Sequence, residues 1–422
     1  MVGLASAIGQ AVILTRHPLT FQLADSPSYI ALGSRLVSHP SLSALFDAYR
    51  TPGYPVVLAL IGAVQGTVAA DGVVYAQAVF MVITALEVYA LTFGLSGSSV
   101  AAALAGVLFA TNVRLLDWER LVMTEALAVL LVTTLVLAFW LWINHRAMAW
   151  AVLFCATSSF AILTRPSLLL MPFCLGAVVV IGDRRRWLPL LIMGAAIYLP
   201  VAGYAAVNER LNPHAGLSAV SNINLLGKVL EYDMQGEGDK AAYPALWQGI
   251  TGLAPGDRDP YNILKTSSEA LGPNYQDAAR FSSDIILRHP FEYLWKSGRD
   301  LVAQSLAVPY AYIPPGSTQW LAELVADYAL VPYAAYPALP LAIAGLVVVW
   351  RRLDPQVALG IAALVAAVVG GLGINALFTY LDFARLRTPL DPLAFVAAIV
   401  VGSRFAQYAS TRRRARRDPT PS

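Results

Sequence analysis

The chain has 422 residues, of which 57% are hydrophobic and 13% are charged, and its mean hydropathy is +0.60. Soluble domains carry about 25% charged residues, so this composition excludes a soluble globular protein and indicates a polytopic membrane protein. No basic stripe with interleaved aromatic residues is present, which argues against nucleic-acid binding. Cys155 and Cys174 lie in apolar runs, so neither disulfides nor cysteine metal sites are expected.

The first polar region concentrates unlike polar groups within about thirty residues: Asp25, Tyr29, Arg50 and Tyr54. Ser26 followed by Pro27 predicts a helix N-terminus, which places Asp25 just ahead of the helix. The backbone N–H groups and the helix dipole favour an ionised carboxylate at that position. Such a group can act as a base or hold a cation. The alternative is an ordinary polar loop in which Asp25 only caps the helix.

Two short helices are predicted to lie against the membrane in this region. The first begins at Pro27 and ends near His39-Pro40, with an apolar face suited to the bilayer surface. The second begins at Pro55, and its apolar run ends before Gln65-Gly66. A spanning helix needs roughly 20 residues, so segment 54–69 is too short to cross.

Nine later segments have the length and apolarity of membrane spans, and with the N-terminal segment they give about ten. They are 73–94, 98–113, 121–143, 148–164, 167–182, 187–207, 329–350, 357–380 and 388–408. The predicted fold is an all-α integral membrane bundle with three regions. These are a core over 1–207 with a first external loop at 16–72, an external cap at 208–328, and C-terminal spans with a basic cytoplasmic tail over 329–422.

The orientation follows from basic clusters, which stay in the cytoplasm. The clusters are His145-Arg146, Arg184–Arg186, Arg351-Arg352 and the arginines from Arg412 to Arg417. The predicted spans place an even number of crossings between successive clusters. The Asp25 region, the turn at Thr164–Pro166 and the long insertion 208–328 then face outside. The insertion contains two predicted amphipathic helices, 277–287 and 290–306, and is expected to form a lid, an acceptor platform or a stabilising cap.

Five motifs occur in order along the chain: Asp25-x-x-x-Tyr29, Arg50-Thr-Pro-Gly-Tyr-Pro55, Thr124-Glu125, Leu163-Thr-Arg-Pro166 and Arg385-x-Arg387-x-Pro389-x-x-Pro392. Together they resemble the bacterial GT-C glycosyltransferases related to protein O-mannosyltransferases and lipid A aminoarabinose transferases. The resemblance covers the whole chain. It implies a GT-C bundle that transfers a sugar from a polyprenyl-phosphate donor to an acceptor on the outer face. Many relatives carry adjacent acids at the first motif, whereas Ser26 follows Asp25 here.

The resemblance places basic residues of two motifs, Arg50 and Arg165, near the donor phosphate. Guanidinium groups suit that task, because they fork onto phosphate oxygens and do not deprotonate. Arg165 has an alternative role as a snorkelling residue at a helix end. Asp25 is the expected base, or the group that orients the acceptor. Tyr29 and Tyr54 either bond the phosphate or anchor the chain at the interface.

Further acidic and basic residues lie near the same predicted face. Asp117 and Glu119 are candidates for a second acid, or for a structural cluster neutralised by Arg114 and Arg120. Glu125 opens a span, where it either complements the helix dipole or joins the site. Arg385 and Arg387 either form local ion pairs or contact the acceptor or a pyrophosphate-like group.

The sequence has no ligand spacing typical of a tightly held metal and no nucleotide-binding fingerprint. A weakly bound divalent cation at Asp25 remains open. The expected partners are the polyprenyl-phosphate sugar, membrane lipids and an acceptor glycan, lipid or protein. A transporter and a non-catalytic scaffold are the alternatives to an enzyme. A transporter or lipid flippase usually shows internal repeats and broken helices at mid-membrane, and a scaffold would not need Asp25, Arg50 and Arg165 together.

Overall fold

The computed structural model describes residues 1–16, 25–254, 257–271, 275–308, 327–328, 330–380 and 383–417. These ranges contain α-helices, short 3-10 turns and connections, and no β-strand. The predicted all-α class is therefore confirmed. The α-helices, numbered in chain order, are α1 (Val2–Arg16), α2 (Ser26–Ser38), α3 (Gly53–Gln65), α4 (Ala70–Ser96), α5 (Ser99–Ala110), α6 (Val113–Leu116), α7 (Glu125–His145), α8 (Met148–Thr164), α9 (Met171–Gly182), α10 (Trp187–Leu211), α11 (Val220–Glu231), α12 (Pro244–Gly252), α13 (Pro260–Leu271), α14 (Tyr275–Arg288), α15 (Pro290–Leu306), α16 (Ala335–Val349), α17 (Pro355–Phe378), α18 (Phe383–Arg387) and α19 (Asp391–Arg417).

Six helical segments in the described ranges are long and apolar enough to cross a membrane. They are built on α4, α7, α10, α16, α17 and α19; the segment of α16 includes the 3-10 turn ahead of it and covers 331–348. The bent pair formed by α5 and residues 113–120 makes seven if it counts as one span. The predicted number of about ten spans is not confirmed. Among the shorter apolar helices, α8 has 17 residues and α9 has 12. At a rise of 1.5 Å per residue these reach about 26 Å and about 18 Å, less than the roughly 30 Å of a hydrocarbon core.

The core of the bundle is built around α7. In the 18-residue apolar stretch of α7 that could cross a membrane, 78% is buried. The helix packs against both α4 and α8. Its first residue is Glu125, so the start of the most enclosed helix carries a carboxylate. Since charged residues are almost never fully buried without a partner, this position points to an ionic site at that end of the bundle.

Close backbone packing fixes the first loop onto the bundle. A Cβ atom at Gly53 would lie 2.8 Å from both the Leu163 carbonyl oxygen and the Thr164 nitrogen, so only glycine fits this contact. The Thr51 hydroxyl also donates to the Thr164 carbonyl oxygen at 3.4 Å. The start of α3 therefore sits directly against the end of α8. This contact brings the Arg50 motif next to Arg165.

The insertion forms a helical unit of its own. Helices α11 to α15 enclose a second apolar core that includes Leu226, Ile263 and Phe281. The predicted amphipathic helices 277–287 and 290–306 are confirmed as α14 and α15. The segment ahead of α11 also bonds to the first loop, because Ser218 donates its hydroxyl proton to the Tyr49 carbonyl oxygen at 2.6 Å. The insertion is thus tied to the loop that carries Arg50.

Candidate functional site

Asp25 lies at the N-cap position of α2, yet its side chain makes no capping hydrogen bond. The helix begins at Ser26, with proline in the first turn as the sequence predicts. The Ser28 hydroxyl donates to the Asp25 backbone carbonyl oxygen at 2.6 Å, which fixes the chain before the helix. The carboxylate is left to face arginine side chains from distant parts of the sequence.

Five charged residues form one continuous group, which we call the ionic cluster. Arg50 Nη2 lies 2.6 Å from Asp25 Oδ1, and Arg385 Nη2 lies 3.1 Å from Asp25 Oδ2. Arg385 Nε is 2.7 Å from Glu125 Oε1, and Arg165 Nη1 is 3.5 Å from the same oxygen. The chain of contacts joins Arg50, Asp25, Arg385, Glu125 and Arg165. All five sequence motifs therefore contribute a residue to one point of the structure.

The electrostatics of the cluster favour an anion. Its three guanidinium groups and two carboxylates sum to a charge of +1 at neutral pH. Burial of Asp25 acts to raise the pKa of its carboxyl, but Arg50 and Arg385 outweigh burial and hold that pKa below its ordinary value. Glu125 is fully buried and Arg165 is 6% exposed. The positive excess therefore acts in a poorly solvated place, where charge interactions are stronger than in water.

Two tyrosines support the cluster from one side. The Arg50 guanidinium carbon lies 4.9 Å from the Tyr29 ring centre, within cation–π distance. The Tyr29 and Tyr54 rings meet edge to face with centres 5.2 Å apart. Tyr54 is fully buried, and its hydroxyl donates to Gln77 Oε1 at 3.0 Å. Tyr29 thus faces the cluster, and Tyr54 holds it there from behind.

A cavity of about 1500 Å³ opens over the cluster. Asp25, Tyr29, Arg50, Arg165 and Arg385 all line it. Its wall also has an apolar part beside them, formed by Leu169, Leu170, Leu217, Leu225, Ile374 and Phe378. A ligand that fits this space would carry an anionic group, which the arginines hold, and an apolar group, which the leucines cover.

The insertion contributes polar residues to the same cavity, and sequence reasoning did not single these residues out. Asp259, Tyr261, Gln276 and Arg280 line the cavity from α13, α14 and the turn before α13. Burial raises the pKa of the Tyr261 phenol, and the Asp25 carboxylate raises it further, whereas Arg50 and Arg385 lower it. Tyr261 is thus close enough to feel all three charges. The only available signal was its position in a tyrosine-rich loop.

Glu209 and His214 form a second feature of the cavity wall. His214 has a φ of 66°, which is uncommon for a residue with a side chain. Glu209 holds this turn, since Oε1 accepts from the His214 backbone N–H at 2.9 Å and Oε2 accepts from the Gly216 N–H at 2.7 Å. This turn lines the cavity.

Three other candidates occupy different places. Glu119 is fully buried outside the cavity wall, with its backbone carbonyl oxygen accepting from Gln77 Nε2 at 2.6 Å. The side chain of Asp117 lies outside the described residues. Arg387 is fully buried, pairs with Asp391 at 3.0 Å, and lies 4.2 Å from the Tyr336 ring centre. Arg387 is therefore held apart from the cavity that its neighbour Arg385 enters.

Comparison with known proteins gives a fold. No protein-family model and no curated protein matches the sequence. The archaeal oligosaccharyltransferase AglB from Archaeoglobus fulgidus, solved with an inhibitory peptide and a dolichol-phosphate, matches with a TM-score of 0.53 at 13% identity. That match covers 100% of this chain and 52% of AglB. The apo oligosaccharyltransferase of the same organism matches with a TM-score of 0.51 at 15% identity, over 99% of this chain and 51% of that one.

ArnT from Cupriavidus metallidurans in the apo state is also similar, with a TM-score of 0.42 at 14% identity, over 97% of this chain and 77% of ArnT. The chain shares the fold of the archaeal oligosaccharyltransferase, which is the GT-C fold that the sequence motifs predict. It spans about half the length of the archaeal oligosaccharyltransferases that it matches. At such low identity the likeness defines the fold alone.

Proposed function

We propose that this protein is a membrane glycosyltransferase that moves a sugar from a polyprenyl-phosphate-linked donor to an acceptor on the extracytoplasmic face. The observation that carries the proposal is the ionic cluster, with its excess positive charge, at the wall of a large and partly apolar cavity. The dolichol-phosphate in AglB is a lipid phosphate bound to the same fold. A polyprenyl phosphate has the anionic and apolar parts that this cavity suits.

The donor phosphate is assigned to Arg50, Arg165 and Arg385. As the bond between the sugar carbon and the phosphate oxygen breaks, the leaving phosphate gains negative charge. Guanidinium groups placed there stabilise the transition state by roughly 3–4 kcal/mol for one well-placed donor. A phosphodiester carries a single negative charge, which matches the net charge of +1 in the cluster. The leucine-lined wall beside Arg165 is assigned to the first part of the prenyl chain.

Asp25 is assigned to the acceptor. The acceptor oxygen attacks the sugar carbon and loses its proton, which Asp25 accepts or directs. With both oxygens held by arginine, Asp25 is a weak base in the unliganded protein. A bound phosphate competes for the same guanidinium groups, so donor binding would loosen these pairs and leave Asp25 more basic. The pairing also opposes a cation at Asp25, because a cation would have to displace two arginines.

The acceptor is assigned to the side of the cavity formed by the insertion. Tyr261, Gln276, Arg280 and Asp259 offer hydrogen-bonding groups there, which suits the hydroxyls of a glycan, the headgroup of a lipid or a protein side chain. The transporter alternative is less well supported. Its substrate site is expected near the bilayer midplane, whereas this cluster gathers at helix ends and loops: the start of α2, the end of α8 and the start of α7.

A transfer assay on the purified protein in lipid nanodiscs tests the proposal. A panel of polyprenyl-phosphate sugars is offered with a mixed set of acceptors, and release of the free polyprenyl phosphate is measured. We expect release with at least one donor, and loss of release in Arg165→Ala. Arg185→Ala is the matched control, since Arg185 is exposed at the far end of α9 and should keep full activity. Failure to bind or turn over any donor of the panel would contradict the proposal.

A further inference from the structure

A surface helix usually buries its apolar face and exposes its polar face, whereas helix α15 does the opposite. Large apolar residues point away from the protein, with Phe291 at 87% and Trp295 at 74% exposed. Leu294, Val302 and Leu306 share this outer face and are also more than half exposed. Spacings of three, four and seven residues place them in one stripe along the helix. Large exposed apolar stripes of this kind mark a contact with another apolar surface.

The inner face of the same helix is polar and firmly bonded. Ser297 is buried, and Asp300 is largely so; both accept from the Tyr232 hydroxyl, with Asp300 Oδ2 at 2.5 Å. Lys228, which is fully buried, also pairs with Asp300. A rotation of α15 that hid its apolar face would break this network and leave a buried ammonium group without Asp300. The outward orientation of the stripe is therefore fixed by the fold.

The position of α15 identifies what covers the stripe. The Tyr293 hydroxyl donates to the Leu377 carbonyl oxygen at the end of α17, and α15 packs against both α16 and α17. These two helices belong to the candidate spans 331–348 and 355–378, and both expose apolar residues, such as Leu341 on α16 and Val369 on α17. The stripe thus belongs to a helix that packs on two candidate spanning helices, each with exposed apolar residues of its own.

We propose that α15 lies in the membrane interface at the cavity end of the bundle, with Phe291, Leu294 and Trp295 inserted among lipid acyl chains. Tryptophan is enriched at this depth because its ring is amphipathic. Arg288 precedes α15, and Arg299 lies between Trp295 and Val302 along it. Both are exposed, so their charges can reach lipid phosphates. This inference is independent of the transferase activity. It describes an interaction of the insertion, which composition alone would place in water.

Depth-dependent fluorescence quenching tests this proposal on the full chain. Cys155 and Cys174 are replaced by Ala, a bimane probe is attached at Trp295→Cys, and the protein is placed in nanodiscs. The matched control carries the probe at Gln248→Cys, an exposed position on α12 in the same insertion. Quenching by brominated phospholipid and by aqueous iodide is compared at both sites, and Phe291→Cys provides a second position on the stripe.

We expect brominated lipid to quench the probe at 295 and at 291 several-fold more than the probe at 248, with iodide giving the opposite order. Equal access of iodide to all three positions would place the stripe in water and overturn the proposal. Protection of 295 and 291 from both quenchers would also overturn it, because a protein partner would then cover the stripe. Thermal melting of each labelled variant close to that of the parent confirms that the fold is retained.

Discussion

Within the ionic cluster, Glu125 positions two arginines and does not itself line the cavity. Its carboxylate lies behind the cavity wall, so it does not meet a ligand, yet Oε1 contacts both Arg165 and Arg385. A single buried acid therefore orients two arginines that come from motifs 220 residues apart (385 − 165). The helix-dipole interpretation of Glu125 explains its position in the first turn, but these contacts explain why the carboxylate is fully buried.

We predict that Glu125→Gln lowers both stability and donor affinity. Removing one member of a buried ion pair lowers the free energy of unfolding by up to about 3–5 kcal/mol. The guanidinium groups of Arg165 and Arg385 also lose the contact that orients them. Melting temperature and polyprenyl-phosphate binding are measured together. Glu231→Gln is the control, because Glu231 also pairs with a buried cation, Lys228, but lies outside the cavity wall. An equal loss of donor binding in both variants would mean that Glu125 acts only on stability.

Asp25→Asn separates the proposed base from the phosphate site. The amide cannot accept the proton or carry charge, so transfer should fall by at least the roughly 10²-fold that general base catalysis supplies. Donor binding should be unchanged or tighter, because Arg50 and Arg385 lose the carboxylate that competes with the phosphate. Turnover and donor affinity are measured on the same preparation. Near-normal transfer by the folded variant would rule out Asp25 as the base.

The lowered pKa of the Asp25 carboxyl also predicts a pH dependence of stability. A carboxyl with a depressed pKa in the folded state stabilises the fold above its unfolded pKa of about 3.9, and this contribution is lost as the pH falls through the folded value. We expect the melting temperature of the wild type to drop as the pH falls below about 4. The drop should be shallower in Asp25→Asn. Parallel curves for the two proteins would show that the ion pairs of Asp25 add nothing to folding.

At the scale of single elements, helix type and many boundaries follow from the sequence. The short length of segment 54–69 and its flanking prolines and glycines predict the helix observed as α3. The contact between α3 and α8 cannot be predicted this way, because it depends on backbone atoms of residues more than one hundred positions apart. The same limit applies to Arg385 and Asp25. Both residues belong to the sequence motifs, but they are 360 positions apart, and only the packing of the helices brings them into contact.

Gly53→Ala tests whether the contact between α3 and α8 positions the site. The new methyl group would meet backbone atoms at 2.8 Å, so α3 must shift, and overpacking of this kind typically costs 1–3 kcal/mol. We expect a lower melting temperature and a larger fractional loss of transfer, since Arg50 lies three residues away. Gly194→Ala is the control, because a Cβ atom there meets nothing within 4 Å. Full activity in Gly53→Ala would uncouple this contact from the site.

At the scale of the whole molecule, charge and polarity are divided between the two ends of the bundle. The ionic cluster, the cavity and the insertion share one end, and the exposed arginines between α9 and α10 lie at the other. The positive-inside rule assigns the arginine end to the cytoplasm. We therefore propose that the cavity opens outside, where a lipid-linked sugar rather than a cytosolic sugar nucleotide would be the available donor. This orientation depends on α3 not crossing the membrane.

Single cysteines test the orientation in the background without Cys155 and Cys174. We expect a membrane-impermeant maleimide to label Arg185→Cys only from the cytoplasmic side, and Gln65→Cys and Gln248→Cys only from outside. Right-side-out and inverted vesicles give the two sides, and all three positions are exposed. Gln248 lies in the insertion and Gln65 at the end of α3, so the two positions test separate steps of the argument. Cytoplasmic labelling at Gln65 would show that α3 crosses, and cytoplasmic labelling at Gln248 would place the cavity, and with it the proposed acceptor, on the inner face.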